Sequence, residues 1–225
     1  MGNRCKLGLK GLVLSVVLLA YHDRKAMAQS RNFLSVSRSG ETVQEWIRRS
    51  PSEQVQHRFS ELFMASPDMA QSIPCLPPLG DWSGNRISSE FGWRNHPTLR
   101  VIRHHDGIDI AGPHQYVRAG ASGRVATVGH SRSLGCYVRI DHLNSYNTVY
   151  GHLAMALVHP GQAVGIGQTL GITGRTGRAT GVHLHYSVFK NNVPVNPIGH
   201  LRLAIDFVNT YKRQQQRLTT THQPH

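Results

Sequence analysis

Acidic side chains are scarce in this chain of 225 residues, which sets 12 Asp and Glu against 25 Lys and Arg for a net charge of +13. That balance favours anionic partners. The basic residues are scattered, however, with no basic helix and no run of aromatics between them, so specific nucleic-acid readout has no support. Cysteine is rarer still, at three residues. Cys5 precedes the first apolar run, where a lipid-attachment cysteine would follow it. Cys75 and Cys136 make an even pair suited to an oxidising compartment, but sequence separation cannot show whether they come within bridging range. No apolar run is long enough for a convincing membrane span. No HExxH occurs, so the glutamate base of the common zinc protease helix is missing. The glycine-rich stretch Gly174 to Gly181 lacks the Gly-Lys-Ser/Thr ending of a phosphate cradle and reads as a tight loop. There is no internal repeat.

What is present divides the chain into four parts. Residues 1–28 have a basic start, the apolar stretch GLVLSVVLLAY and a small-x-small site at Ala26-Met27-Ala28, and are expected to be a signal peptide. Its removal takes away five basic residues and Asp23, leaving +9. An exported protein follows, located in the periplasm or cell envelope, where anionic envelope polymers and lipid head groups are the candidate partners.

Residues 29–80 form a preface. Ser50, Pro51 and Glu53 read as cap, first turn and capping-box glutamate, and Val55, Phe59, Leu62 and Phe63 fall at helical spacing before Ser66-Pro67. One amphipathic helix is expected, its apolar stripe packed on the main domain rather than covering a site, followed by a Pro/Gly-rich linker. Residues 81–200 change texture: ISSEFGW, GRVATVG, YVRIDHL, NTVYGHL, QTLGITG and VHLHYSVF are strand-length runs between turn signals. They predict a mainly β fold, a compact antiparallel sheet domain. Residues 201–225 are expected to form a C-terminal helix with Leu201, Ile205, Val208 and Tyr211 on one face, then a disordered tail.

The histidines concentrate in the β region. In TGVHLHYSVF, strand alternation puts His183, His185 and Ser187 on one face and Leu184, Tyr186 and Val188 on the other. In His105-Asp106-Gly107-Ile108-Asp109, an imidazole and a carboxylate four apart share a strand face, and Gly107 is free for close approach. His105, Asp109 and either His183 or His185 would supply three nitrogen and oxygen ligands, leaving a fourth position open for water. In NTVYGHL, Thr148, Tyr150 and His152 alternate onto one face, so His152 can reach the same floor.

FGWRNHP, HHDGIDIA, NTVYGHL and TGRATGVHLHYSV followed by PVNP, in this order over about residues 87 to 197, resemble the lysostaphin-like, or LytM-type, zinc metallopeptidases that cut peptidoglycan peptides. The resemblance implies an antiparallel β domain with a narrow groove, and one Zn2+ held by His105, Asp109 and His185. It makes His183 and His152 the catalytic histidines, the first as general base and the second as oxyanion stabiliser. His104 is the alternative ligand if the register slips by one, but only His105 keeps the HxGxD spacing. Tyr150 would belong to the groove wall, and Val182 stands where relatives often carry proline. Peptidoglycan is the implied partner, with an envelope-spanning assembly as a further candidate. The competing readings are a non-catalytic LytM-type module that binds the wall or regulates wall hydrolases, and a structural zinc protein. The first normally shows lost ligands, and the second would be closed by four.

Overall fold

The β-branched and aromatic runs pair into antiparallel ladders because each offers one apolar face to a shared core. The computed structural model describes residues 42–80, 86–95 and 101–220; the expected leader, His96 and the end of the expected tail lie outside the described residues. Twelve strands are described: β1 (Arg86–Ser89), β2 (Gly92–Asn95), β3 (Ile102–His105), β4 (Ile108–Ala111), β5 (Tyr116–Arg118), β6 (Gly123–Ser131), β7 (Gly135–Asp141), β8 (Tyr146–Ala156), β9 (Ala163–Val164), β10 (Thr169–Thr173), β11 (His183–Lys190) and β12 (Val193–Val195). Ten form one sheet whose main path runs β1-β4-β11-β8-β7-β6-β9, while β2 and β3 pair separately as a hairpin. The mainly β, antiparallel class expected from the runs is the one observed.

The two faces of the sheet differ in chemistry. Ile108, Ile110, Val138, Ile140, Tyr150, Leu184, Tyr186 and Val188 are buried in a single core. On the opposite side His183, His185, Ser187 and Phe189 of β11 line a groove together with Val149 of β8 and Arg139 of β7. Alternation in β11 therefore sorts residues as expected. Tyr150 does not belong to the groove wall: it is fully buried, its hydroxyl accepting from the Gly120 N–H at 2.8 Å and from Thr148 Oγ1 at 3.1 Å.

Helices cover the core face. The single helix expected after Ser50 is four short ones, α1 (Val43–Arg49), α2 (Ser52–His57), α3 (Phe59–Ala65) and α4 (Pro67–Gln71). Ser50 ends α1, and α2 starts after Pro51 without a side-chain cap. The capping box stands one helix earlier, where Thr42 and Glu45 bond reciprocally. Ser52 is occupied elsewhere, its hydroxyl 2.9 Å from Nε2 of His200, whose Nδ1 donates to Pro74 O. Val55, Phe59, Leu62 and Phe63 are all buried, as their spacing implies, and none of residues 42–80 lines the groove.

The C-terminal helix α5 (Pro197–Thr220) begins before residue 201 and extends into the stretch expected to be disordered. It turns Leu201, Ala204, Phe207 and Val208 inward, with Phe63 and Phe207 rings 4.6 Å apart. Ile205 is only partly buried, so the inward stripe is rotated from the expected one. At the far end of β11, the Lys190 ammonium donates to Ile47 O at 2.5 Å and to Ser145 Oγ, tying the end of α1 to the sheet. Among the described residues no helix is long and apolar enough to cross a membrane.

Candidate metal centre

Three donor atoms converge on the groove floor. His105 Nε2 lies 3.1 Å from His185 Nδ1 and 3.2 Å from Asp109 Oδ1, and His185 Nδ1 lies 3.0 Å from the same oxygen. The edge of a tetrahedron around zinc with bonds of about 2.0–2.1 Å is about 3.3 Å, so the donor set fits that ion. Three acceptors so close repel one another, which a cation between them relieves.

The chain sets which nitrogen of each ring faces inward. His105 Nδ1 donates to Glu90 O at 2.8 Å, leaving Nε2 as the lone pair. His185 Nε2 lies 2.8 Å from Ser187 Oγ, leaving Nδ1 for the centre. Ser187 follows two residues later on the same strand face, so this support was implicit in the HLHYS alternation.

His105 and Asp109 come together differently from the expected single strand. His105 ends β3 in the hairpin, whereas Asp109 sits in β4 of the large sheet, paired with His185. Gly107 bridges them at a point where a Cβ would lie 2.5 Å from Ser187 Oγ and 2.9 Å from the Tyr186 carbonyl carbon. Only glycine lets the turn press that closely on β11. His104 takes another direction, its Nδ1 2.7 Å from Asp106 Oδ1 and its ring edge-on to Trp93. The register slip that would have made it a ligand does not occur.

His152 also arrives by a route that simple alternation does not describe. Thr148 and Tyr150 face the core, so uninterrupted alternation would send His152 there too. Between Tyr150 and Leu153, β8 carries one residue more than β7 has between Val138 and Cys136. At this bulge His152 adopts a left-handed φ of 59° and its side chain enters the groove. Its N–H donates to Leu134 O at 2.7 Å, and its Nδ1 donates to Thr176 O at 2.8 Å. His183 is held alike, with Nδ1 donating to Gly181 O at 2.9 Å. The loop from Gly174 to Gly181 thus supplies the carbonyls that orient both rings, which stand 4.5 Å apart.

Asp109 Oδ1 is also 3.8 Å from His183 Nε2. Asp109, His152 and His183 form a second group with converging donors. All five residues named from the sequence are therefore gathered in one groove of about 540 Å³. Burial alone would raise the Asp109 carboxyl, but hydrogen bonds from His105 and His185 outweigh it and hold it well below the usual carboxylate range. Burial pushes His152 down to about 4, partly offset by its bond to Thr176 O, so the ring is neutral at pH 7. The groove also contains Arg94, Arg103, Arg139 and Arg178, which the histidine patterns did not flag. Tyr137 and Arg139 alternate in YVRIDHL, a signal for a polar strand face that goes unnoticed without knowing the sheet order. Cys75 and Cys136 are free thiols and form no disulfide.

Residues 103–197 match the sequence profile of peptidase family M23. Over 114 residues the chain is 45% identical to a Neisseria meningitidis protein named DD-carboxypeptidase/endopeptidase Mpg, covering 50% of this chain and 26% of that protein. It is 42% identical over 113 residues to the Vibrio cholerae peptidoglycan DD-endopeptidase ShyA, covering 49% and 26% respectively. The chain thus spans about a quarter of the length of these relatives. A solved SpoIIQ-SpoIIIAH pore-forming complex contains a chain with the same fold, at TM-score 0.53 and 22% identity, over 61% of this chain and 97% of that one. The profile match begins two residues before His105 and ends two after Val195, enclosing all five gathered residues, and on this footing the chain carries, over residues 103–197, a domain that matches peptidase family M23.

Proposed function

We propose that the protein is a zinc-dependent endopeptidase that hydrolyses peptide bonds of peptidoglycan, in stem-peptide cross-links or bridges. The observation that carries this reading is the convergence of His105 Nε2, Asp109 Oδ1 and His185 Nδ1 within 3.2 Å of one another, with two further imidazoles beside them. The full donor set disfavours a non-catalytic module, and two histidines outside that set disfavour a closed structural site. Similarity to a protein named as a peptidoglycan DD-endopeptidase supports the choice of substrate.

His105, Asp109 and His185 would hold the ion. Zinc, when bound, polarises the scissile carbonyl and makes water acidic enough to attack near neutral pH. His183 presents Nε2 to the groove and accepts the proton of the attacking water, its own Nδ1–H fixed by Gly181 O. Asp109, 3.8 Å away, stabilises the imidazolium that results. His152 has its one proton on Nδ1, held by Thr176 O; negative charge developing beside the ring raises its proton affinity, so Nε2 takes a second proton from solvent and donates it to the oxyanion. The groove wall keeps both rings largely shielded from solvent, where such hydrogen bonds count for more.

The export signal expected over residues 1–28 supports assigning this activity to the periplasm or cell envelope, on the wall alone or within an envelope-spanning assembly. Digestion of purified peptidoglycan by the zinc-loaded protein, with released fragments identified by mass spectrometry, is the test. New fragments absent from a His183→Ala control are expected and identify the bond cut. A zinc-bound protein that releases none would refute the endopeptidase reading.

A further inference from the structure

The groove that holds the histidines carries an uneven charge. Four guanidinium groups, Arg94, Arg103, Arg139 and Arg178, line it against two carboxylates, Asp106 and Asp109. Neither carboxylate is available to neutralise the arginines at large. Asp106 is paired with His104 at 2.7 Å, and Asp109 is shared among three histidines and Arg94. Among the described residues, Arg103, Arg139 and Arg178 make no ion pair, although Arg139 Nε donates to Asn147 Oδ1 at 3.5 Å, and the buried Nε of Arg94 has no hydrogen-bond partner. Guanidinium donors left partly shielded in a cleft are matched by carboxylates, which accept two of their N–H groups at once.

Their positions follow the length of the groove. Arg139 on β7 stands over the ring of Phe189, its guanidinium carbon 5.7 Å from the ring centre. Phe189 lies four residues beyond His185 along β11, about 13 Å at the rise of a strand. Arg178 sits at the other end, on the loop that enters β11 at His183, anchored by its N–H to Ser133 O at 3.1 Å. Arg94 and Arg103 stand opposite each other on the β2–β3 hairpin. Along β11, Arg139 with Phe189 lies beyond His185 and the loop carrying Arg178 precedes His183, so positive charge flanks the histidines at both ends of that strand.

We propose that this groove selects peptides carrying ionised carboxylates on both sides of the scissile bond, with Arg139 and Arg178 as the receiving groups. The inference rests on the endopeptidase reading and adds to it a substrate charge and two specificity-determining residues that lie outside the donor set. A chain with the same histidines but no such arginines would be indifferent to that charge.

The test compares a cross-linked stem-peptide dimer having free carboxylates with its fully amidated counterpart, using the zinc-loaded full chain. Two quantities are measured: kcat/KM for each peptide, and the Kd of uncleavable versions in which the scissile amide is replaced by a hydroxyethylene. A partly shielded charged pair lies between an exposed ion pair and a buried bidentate one, so the acidic peptide is expected to be favoured about tenfold in both quantities. Arg139→Gln and Arg178→Gln should each shrink that preference in both quantities. Equal Kd values for the two peptides on the wild-type protein overturn the proposal, as does an undiminished preference in both variants. Absence of hydrolysis of either peptide defeats the endopeptidase reading instead, and the Kd comparison still decides the charge selection.

Discussion

Replacing Gly107 by alanine tests whether the metal centre depends on how closely two strands approach. An added Cβ would stand 2.5 Å from Ser187 Oγ and 2.9 Å from the Tyr186 carbonyl carbon, with the Tyr186 oxygen nearer still. Ordinary contact between carbon atoms is about 3.5–4.0 Å, so relief requires a displacement of roughly 0.5–1 Å. The Ser187 hydroxyl can turn aside, but Tyr186 is held by a buried side chain and by pairing of β11 with both β4 and β8. The turn must therefore move, and with it the spacing of His105 from Asp109, now 3.2 Å between donor atoms. Overpacking of this kind costs about 1–3 kcal/mol of stability. Misplacement of about 1 Å at reacting groups costs on the order of 10²-fold in rate. Loss of ligand orientation weakens metal binding by about 10–100-fold. Zinc affinity by chelator competition, peptidoglycan turnover and thermal melting would be measured on Gly107→Ala beside Gly165→Ala. At Gly165 a Cβ meets nothing within 4 Å, so that variant controls for backbone entropy. Wild-type zinc affinity, turnover and melting in Gly107→Ala would refute the reasoning.

Other outcomes separate the roles of individual side chains. His183→Ala should keep zinc while turnover falls about 10²–10⁴-fold, the range for loss of a general base, and His105→Ala should lose both; full turnover in His183→Ala would remove it as the base. Burial pushes His142 and His200 down to about 4, below the ordinary 6.5, so the folded state resists protonation that the unfolded chain accepts. Stability present above pH 6.5 should accordingly fall as pH drops toward 4, by about 2 kcal/mol for each histidine between pH 7.5 and 5. Urea unfolding at these two pH values measures it, and equal stabilities would show the burial argument to be wrong. Burial pushes the Cys75 thiol up to about 12, so of Cys75 and Cys136 alkylation of the folded protein should modify only Cys136, with Cys75 reacting only after denaturation.

Much of the site was legible in the sequence because it depends on local order. The alternation in VHLHYSVF sends His183, His185 and Ser187 to one face whatever else the chain does, since strand side chains alternate strictly. HDGID brings His105 near Asp109 through a turn too short to separate them. The β class likewise follows from runs that hold apolar residues at strand period between glycines. Tertiary structure decided what long-range pairing alone controls. A bulge opposite β7 reversed the face of His152, which local alternation would have sent into the core beside Tyr150. The breaks between α1 and α4 and the rotated stripe of α5 were set by the surface they cover, a quantity that no single helical segment encodes. The arginines of the groove come from β2, β3, β7 and a loop, scattered between residues 94 and 178. Only the order of strands in the sheet makes them neighbours, because contact between distant residues depends on which strands pair and in which register.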